Sequence, residues 1–111
     1  MAITGSLTLQ GTLLGLPGGS KSPFVAWTIT NGVGTITVVD VPTTGVTVTV
    51  PTNTTLAIIT PPTGNTNALR LNTDTPLRKT LPTVYSPDTT VTSFTLTATG
   101  STISGVEVNL V

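Results

Sequence analysis

The feature that most constrains this chain is an alternation of Thr or Ser with aliphatic residues, which recurs along its length. Successive side chains of an extended strand point to opposite faces, so the alternation predicts strands with one polar and one apolar face. The segments that carry it are also rich in β-branched residues, which favour strands. The predicted strands are Leu7 to Leu9, Val25 to Thr30, Thr35 to Val39, Val46 to Val50, Leu56 to Thr60, Ala68 to Leu71, Leu81 to Tyr85, Phe94 to Ala98 and Val106 to Leu110.

Turn residues separate these segments. Asn31-Gly32 predicts a tight hairpin, because this pair accepts the positive φ that a two-residue hairpin turn needs. Pro42 to Gly45 predicts a second turn, and Thr99 to Ser101 predicts a break between the last two strands. No window shows the apolar spacing of a helix without interruption by Gly, Pro or clustered Thr, so essentially no helix is expected.

The length of the chain limits it to one modest core. We therefore predict an all-β fold: a single antiparallel β-sandwich domain over residues 1–111, with about eight short strands and of jelly-roll or immunoglobulin-like type. Residues 1–16 are predicted to form an extended N-terminal arm or an edge strand, because their apolar residues change phase between Leu13 and Leu14. The stretches Gly15 to Pro23 and Pro61 to Asn67 are predicted loops.

Charge is scarce and balanced in this sequence. Only 7% of the residues are charged, against a typical value of about 25%, and four basic residues cancel four acidic ones. Without a basic patch no binding of nucleic acid is expected, and no window approaches the roughly 18 apolar residues of a membrane span. Because a near-neutral surface gives little colloidal repulsion, a partner is expected to cover part of it.

Familiar catalytic patterns are missing from the sequence. The chain has no His and no Cys, which removes Ser-His-Asp and Cys-His catalysis and thiolate zinc sites. The segment Gly15 to Ser22 resembles a phosphate-binding loop, yet Ser20 replaces its second Gly and Pro23 stands where the helix should begin. Four isolated carboxylates are expected to be solvated, rather than an acid-base pair or a calcium site: Asp40, Asp74, Asp88 and Glu107. We predict a protein that is not an enzyme and holds no cofactor or metal.

Two binding functions remain open from the sequence. A sugar- or receptor-binding module would present an aromatic cluster around Tyr85, the one aromatic expected on the surface, with Arg70 or Arg78 nearby. Trp27 and Phe94 share strand faces with aliphatic residues and are expected in the core. An ice-binding protein would present one flat rank of Thr, although irregular spacing favours Thr as an ordinary β-former. The pairs with the required offset are Thr28/Thr30, Thr35/Thr37, Thr47/Thr49 and Thr95/Thr97.

The C-terminal half of the chain resembles a known class of protein. Its pattern runs from Ile58-Ile59-Thr60-Pro61-Pro62 through Asn65, Leu69, Asp74-Thr75 and Leu81-Pro82 to the strand from Gly105 to Leu110. In this pattern it is similar to small β-domains among the virion proteins of tailed bacteriophages. The resemblance implies a capsid decoration (cement) protein that stabilises the head by bridging neighbouring subunits, or else a tail, neck, baseplate or fibre component. It carries over no catalytic residue.

The resemblance and the expected open sheet edges together imply a role in assembly. The expected partners are further copies of the chain, with a trimer favoured, and the major capsid protein or other virion proteins. The resemblance implies a location in the virion, and assembly in the host cytoplasm is expected because Met1 to Gly5 lacks the features of a secretion signal. The arm and one loop are the expected contact segments. Their candidate interface residues are Ile3, Leu7, Leu9, Leu13, Leu14 and Leu16 in the arm and Pro61, Pro62 and Asn65 in the loop.

Overall fold

A computed structural model describes residues 2–10 and 24–111 of the chain, with the first two strands described by their backbone. Each strand predicted from the alternation is present, and the described residues contain no helix. In these parts of the chain no helix therefore has the length and apolarity needed to cross a membrane. The strands are β1 Ala2–Gln10, β2 Phe24–Val33, β3 Thr35–Val41, β4 Val46–Thr49, β5 Ala57–Thr60, β6 Ala68–Leu71, β7 Thr75–Pro76, β8 Thr83–Tyr85, β9 Ser93–Thr99 and β10 Ile103–Leu110.

Eight of these strands form two antiparallel sheets of four strands each. Sheet I has the order β3-β10-β5-β8, and sheet II has the order β4-β9-β6-β7. The strand pairs are nested along the chain, as in one long hairpin that is rolled up. From the outermost to the innermost they are β3 with β10, β4 with β9, β5 with β8 and β6 with β7. This is the strand order of a jelly roll. The predicted antiparallel β-sandwich of about eight strands is confirmed, and the strand order selects the first of its two predicted types.

The core lies between the two sheets and follows the alternation in the sequence. In β9, Phe94, Leu96 and Ala98 are buried, whereas the residues between them are exposed or half-buried. The predicted core position of Phe94 is confirmed, and that of Trp27 falls on a strand described only by its backbone. The other buried apolar residues are Val41, Val48, Val50, Leu56, Ala57, Ile59, Leu69, Leu71, Ile103, Val106, Val108 and Leu110.

The predicted turn from Pro42 to Gly45 is confirmed, and it carries the chain from sheet I to sheet II. The Gly45 N–H donates to the Pro42 carbonyl oxygen at 3.1 Å, and Gly45 has a φ of 92°. A Cβ atom on Gly45 would lie 3.2 Å from Cγ2 of Thr95 and 3.3 Å from Oγ1 of Thr97. Both the backbone angle and the close approach of β9 therefore require glycine here.

Alanine at Gly45 should cost more stability than alanine at Gly64. Gly64 also has a positive φ, of 76°, but nothing lies within 4 Å of the Cβ that alanine would add there. We expect Gly64→Ala to lower the free energy of unfolding by about 1 kcal/mol from backbone strain alone. Gly45→Ala should lower it by about 2 to 3 kcal/mol, because crowding adds to the strain. Urea denaturation of both variants measures the difference, and equal losses would show that β9 moves aside freely.

The predicted hairpin turn at Asn31-Gly32 is wrong. β2 continues through both residues to Val33, and Ile3 of β1 pairs with Gly32. Between the pairs Ile3 with Gly32 and Gly5 with Ile29, β2 has one residue more than β1, so the Asn-Gly pair lies beside a β-bulge rather than in a turn. The physical reason is the choice of partner: β3 pairs with β10, so no hairpin joins β2 to β3.

Candidate interaction surfaces

The four carboxylates singled out in the sequence do not converge on a site. Within residues 2–10 and 24–111, no three metal-ligating side chains come together. Oδ1 of Asp40 accepts a hydrogen bond from the Gly105 N–H at 3.3 Å, which holds the start of β10 to β3. Oε1 of Glu107 accepts from Nδ2 of Asn109 at 2.9 Å. These carboxylates orient the backbone and side chains around them.

Asp88 stabilises a turn before β9. Its Oδ1 accepts from the Thr90 N–H at 2.9 Å and from the Thr90 hydroxyl at 3.0 Å. These two hydrogen bonds, the backbone one first, hold the pKa of Asp88 below its ordinary value because they stabilise the ionised form. The same turn is closed by the Val91 N–H, which donates to the Asp88 carbonyl oxygen at 2.9 Å.

Acid should therefore weaken the fold slightly through Asp88. A carboxyl whose folded-state pKa is depressed contributes stability above its unfolded pKa of about 3.9 and loses it as the pH falls through the lower folded-state value. Asp88→Asn keeps an acceptor oxygen but cannot titrate. We expect the difference in melting temperature between the native protein and Asp88→Asn to be small and to shrink between about pH 5 and pH 2. Parallel curves in thermal scans over this range would contradict the prediction.

Tyr85 is not the surface aromatic that the sequence predicts. Its ring is half-buried against the core and meets Phe94 edge to face, with centroids 5.5 Å apart and an interplanar angle of 87°. Tyr85 belongs to sheet I, whereas Arg70 lies on β6 of sheet II. The expectation fails because the ring gains more from packing between the sheets than from exposure. The aromatic cluster that a sugar-binding module would present is therefore not built around Tyr85.

The outer face of sheet II is polar. Thr47 and Thr49 of β4 are exposed, and they pair with Thr95 and Ser93 of β9. Arg70 of β6 pairs with Thr97 on the same face and interrupts the hydroxyl groups. The pair Thr35/Thr37 lies on the other sheet, so the predicted Thr pairs do not form one flat rank.

The outer face of sheet I carries more aliphatic residues than that of sheet II, although Glu107 and Thr60 lie on it in the same row as Val38. The register places Ile36, Asn109, Ile58 and Val84 in one row across all four strands. Ile36 is 71% exposed, Val38 in the next row is 64% exposed and Val84 is 44% exposed. We call the aliphatic residues of this face, Ile36, Val38, Ile58 and Val84, the apolar outer face. Scattered exposed aliphatic side chains are ordinary, whereas a contiguous apolar patch on one face is typical of a contact surface.

A groove at one end of this face is lined in part by Asn109. The groove has a volume of about 280 Å³ and is lined by Gly34, Thr35, Ile36, Ile58, Asn109 and Val111. Nδ2 of Asn109 donates to Glu107, but its Oδ1 is buried and has no hydrogen-bond partner among the described residues. A buried acceptor without a donor costs about 1 to 3 kcal/mol, so Asn109 carries a local cost in the folded chain.

Strand β3 borders the apolar outer face and is an open edge. It pairs with β10 on one side and, within the described residues, with no strand on the other. Thr35, Ile36, Thr37 and Val38 are all exposed, so the first half of β3 lacks cover on both faces. An open edge of this kind can accept another strand through its free backbone groups.

The first two strands form a separate antiparallel ribbon, which within the described residues pairs with neither sheet. We call it the β1–β2 ribbon. Its register gathers aliphatic residues and Trp27 on one face and mixes polar and apolar residues on the other. One face holds Gly5 opposite Ile29, Leu7 opposite Trp27 and Leu9 opposite Val25, and the other holds Ser6 opposite Thr28, Thr8 opposite Ala26 and Gln10 opposite Phe24. The predicted arm residues Ile3, Leu7 and Leu9 thus lie on β1, while Leu13, Leu14 and Leu16 fall outside the described residues.

The loop that contains the other candidate interface residues is tied to the sandwich. Pro61 is buried and Pro62 is half-buried. Nδ2 of Asn65 donates to the Lys79 carbonyl oxygen at 2.8 Å and to that of Asn67 at 3.0 Å. The Asn65 amide thus holds two parts of the chain together, and a role for this loop in an interface stays a prediction.

Sequence analysis missed Ile36, Val38, Val84 and Asn109 as surface residues. The doublet Val38-Val39 could have indicated this surface. Two adjacent aliphatic residues in a strand must lie on opposite faces, so one of them has to lie on the face that is turned away from the core. Comparisons of the chain with models of protein families, with curated proteins and with solved structures gave no match. Its function must therefore be derived from these surfaces.

Proposed function

We propose that this chain is a non-enzymatic structural protein of a phage virion, and that it decorates the capsid and stabilises the head by bridging neighbouring subunits. The observation that carries the proposal is the apolar outer face of sheet I, where Ile36 and Val38 are 71% and 64% exposed on a sandwich with few charges. Exposing such an apolar surface to water costs free energy, and a permanent partner that buries the surface removes this cost.

The difference between the two sheets supports a position on the outside of a larger particle. A protein that is bound on one side needs one apolar face for the contact and one polar face for water. Sheet II supplies the polar face through Thr47, Thr49 and Arg70, and sheet I supplies the apolar one. The β1–β2 ribbon, which pairs with neither sheet within the described residues, adds a second apolar surface for a neighbour.

The fold adds support by analogy. Jelly rolls occur in viral capsid proteins, although they also occur in lectins and cupins, so the fold by itself does not select a function. The resemblance of the C-terminal half to phage virion β-domains favours the first of these. The packed ring of Tyr85 leaves the lectin alternative without its expected aromatic platform.

The test is the amount of this chain in purified particles of the phage that encodes it. Quantitative mass spectrometry should find it at a copy number comparable with that of the major capsid protein. Heads from which it has been removed should break at a lower temperature, and adding back the purified chain should restore their stability. A copy number far below that of the capsid protein would instead assign it to the tail, neck, baseplate or fibre, and absence from particles would overturn the proposal.

A further inference from the structure

The apolar outer face lies beside a hinge that is too short for its own ribbon to fold back along β3. Gly34 alone separates Val33 at the end of β2 from Thr35 at the start of β3. Reversing the chain onto the adjacent strand takes a turn of at least two residues, and the neighbour of β3 in the sheet is β10. Ile36 and Val38 lie on the first half of β3, next to the hinge, and are exposed.

The apolar face of the β1–β2 ribbon also needs a surface against which it can be buried. A lone ribbon of two strands is at best marginally stable in water, because one of its faces has nothing to pack against. Here one face gathers apolar residues by register: Leu7, Leu9, Val25, Trp27 and Ile29. Burying such residues stabilises by about 25 cal/mol per Å² of apolar surface, so the ribbon gains wherever it finds an apolar sheet face.

The ribbon and the apolar outer face are complementary in chemistry. No residue of β1 or β2 is charged, so the ribbon itself brings no unpaired ion to the contact. On the acceptor face the carboxylate of Glu107 lies beside Val38 and accepts a hydrogen bond from Asn109. Leu7 and Leu9 repeat at the two-residue spacing of Ile36 and Val38, as packing of one sheet face on another requires. Each copy thus carries both halves of a contact but has a hinge of one residue between them, and short hinges favour exchange between copies.

We propose that the apolar face of the β1–β2 ribbon of one copy packs on the apolar outer face of sheet I of a second copy. The inference rests on the proposed structural role and makes a neighbouring copy of the chain the partner that covers the apolar outer face. Because the donor and acceptor surfaces differ, each copy gives its ribbon to one neighbour and accepts a ribbon from another, or two copies exchange ribbons. Closed rings of subunits follow when the rotation closes.

Two complementary variants test the contact in the full chain. Leu7→Ser/Leu9→Ser weakens the ribbon and leaves the acceptor face intact. Ile36→Lys/Val38→Lys disrupts the acceptor face at exposed positions and leaves the ribbon intact. A matched control, Thr47→Lys/Thr49→Lys, adds the same two charges to the exposed outer face of sheet II. The mass of each protein is measured by light scattering over a range of concentrations.

The native chain and the sheet II control should form the same closed oligomer, and each of the other two variants should be monomeric. Mixing these two monomers should restore a species of two chains, because one supplies the ribbon and the other the face. The inference is overturned if the native chain is monomeric at all concentrations, if either variant keeps the native mass, or if the mixed variants do not associate.

Fluorescence gives a second readout at the contact itself, because Trp27 is the only tryptophan and lies on the ribbon. Its emission should shift to longer wavelength when the oligomer is diluted and in the Ile36→Lys/Val38→Lys variant. Emission at short wavelength that is independent of concentration would place the ribbon on its own sandwich and overturn the inference. A native chain that is monomeric but abundant in particles would overturn this inference alone and leave the decoration role standing.

Discussion

Phe94→Ala should remove about 3 to 5 kcal/mol from the free energy of unfolding, which is a large part of the roughly 5 to 15 kcal/mol that a small domain has. Phe94 is 2% exposed and lies on the inner face of sheet II, opposite Val48. Its ring also meets Tyr85 of sheet I edge to face. The substitution would therefore leave a cavity between the sheets and break the aromatic contact that joins them, and thermal unfolding should begin on the order of 15 to 30 °C lower.

Two further variants separate the contributions at this position. Phe94→Leu keeps most of the apolar volume but removes the ring, so it should cost clearly less than Phe94→Ala. A double-mutant cycle with Tyr85→Leu should give a coupling of about 0.5 to 1.5 kcal/mol for the aromatic pair. A loss of under 1 kcal/mol for Phe94→Ala would mean that the two sheets do not pack through this ring.

The second large effect is expected from Ile59→Ala, and it has a matched control on the same sheet. Ile59 of β5 is fully buried on the inner face of sheet I, so truncation should cost about 2 to 5 kcal/mol. Ile36→Ala removes the same atoms from a side chain that is 71% exposed on the outer face. In the monomeric protein, Ile36→Ala should change the stability by less than about 1 kcal/mol.

Chemical denaturation at low protein concentration compares these two alanine variants. Low concentration matters because association would stabilise the native chain. The measured loss of stability for Ile36→Ala would then include the loss of the contact between copies. Similar losses for the two variants under these conditions would show that the outer face of sheet I is covered within one copy. A loss for Ile36→Ala that grows with protein concentration would indicate that a second copy covers it.

Much of the fold could be predicted from local patterns in the sequence. In β9 and β10 the alternation of polar and aliphatic residues gives both the strand and its buried face, because each strand has one face on the core and one on solvent. The turn at Pro42 to Gly45 was equally predictable, since its conformation depends on its own residues. The order of the strands depends on pairs far apart in the chain, and the sequence left two sandwich types open.

The errors arose where tertiary partners decide the outcome. Asn31-Gly32 has the preference of a hairpin turn, but β3 takes β10 as its partner and the pair becomes part of a bulged strand. Tyr85 has a polar tip and a neighbouring proline segment, yet its ring packs on Phe94. For Ile36 and Val38 the alternation gives two faces, but it cannot say which of them the second sheet will cover.

The nested pairing of the jelly roll also orders the steps of folding. Closing a loop costs more entropy as the loop lengthens. Leu71 pairs with Thr75 across a few residues, whereas Thr35 pairs with Leu110 across most of the sandwich. We expect β6 and β7 to join first and β3 and β10 to join last, so amides in β6 should gain protection from hydrogen exchange during refolding before those in β10.

In the assembly that we propose, this order of folding steps would delay contacts between subunits until each chain is folded. β3 is the strand that carries Ile36 and Val38 and leads through Gly34 into the β1–β2 ribbon. If β3 docks last, the acceptor surface takes shape only on a finished sandwich. Chains that are still folding would then lack a complete acceptor surface for a folded neighbour. In the proposed assembly, the order in which the strands fold would by itself exclude incompletely folded subunits.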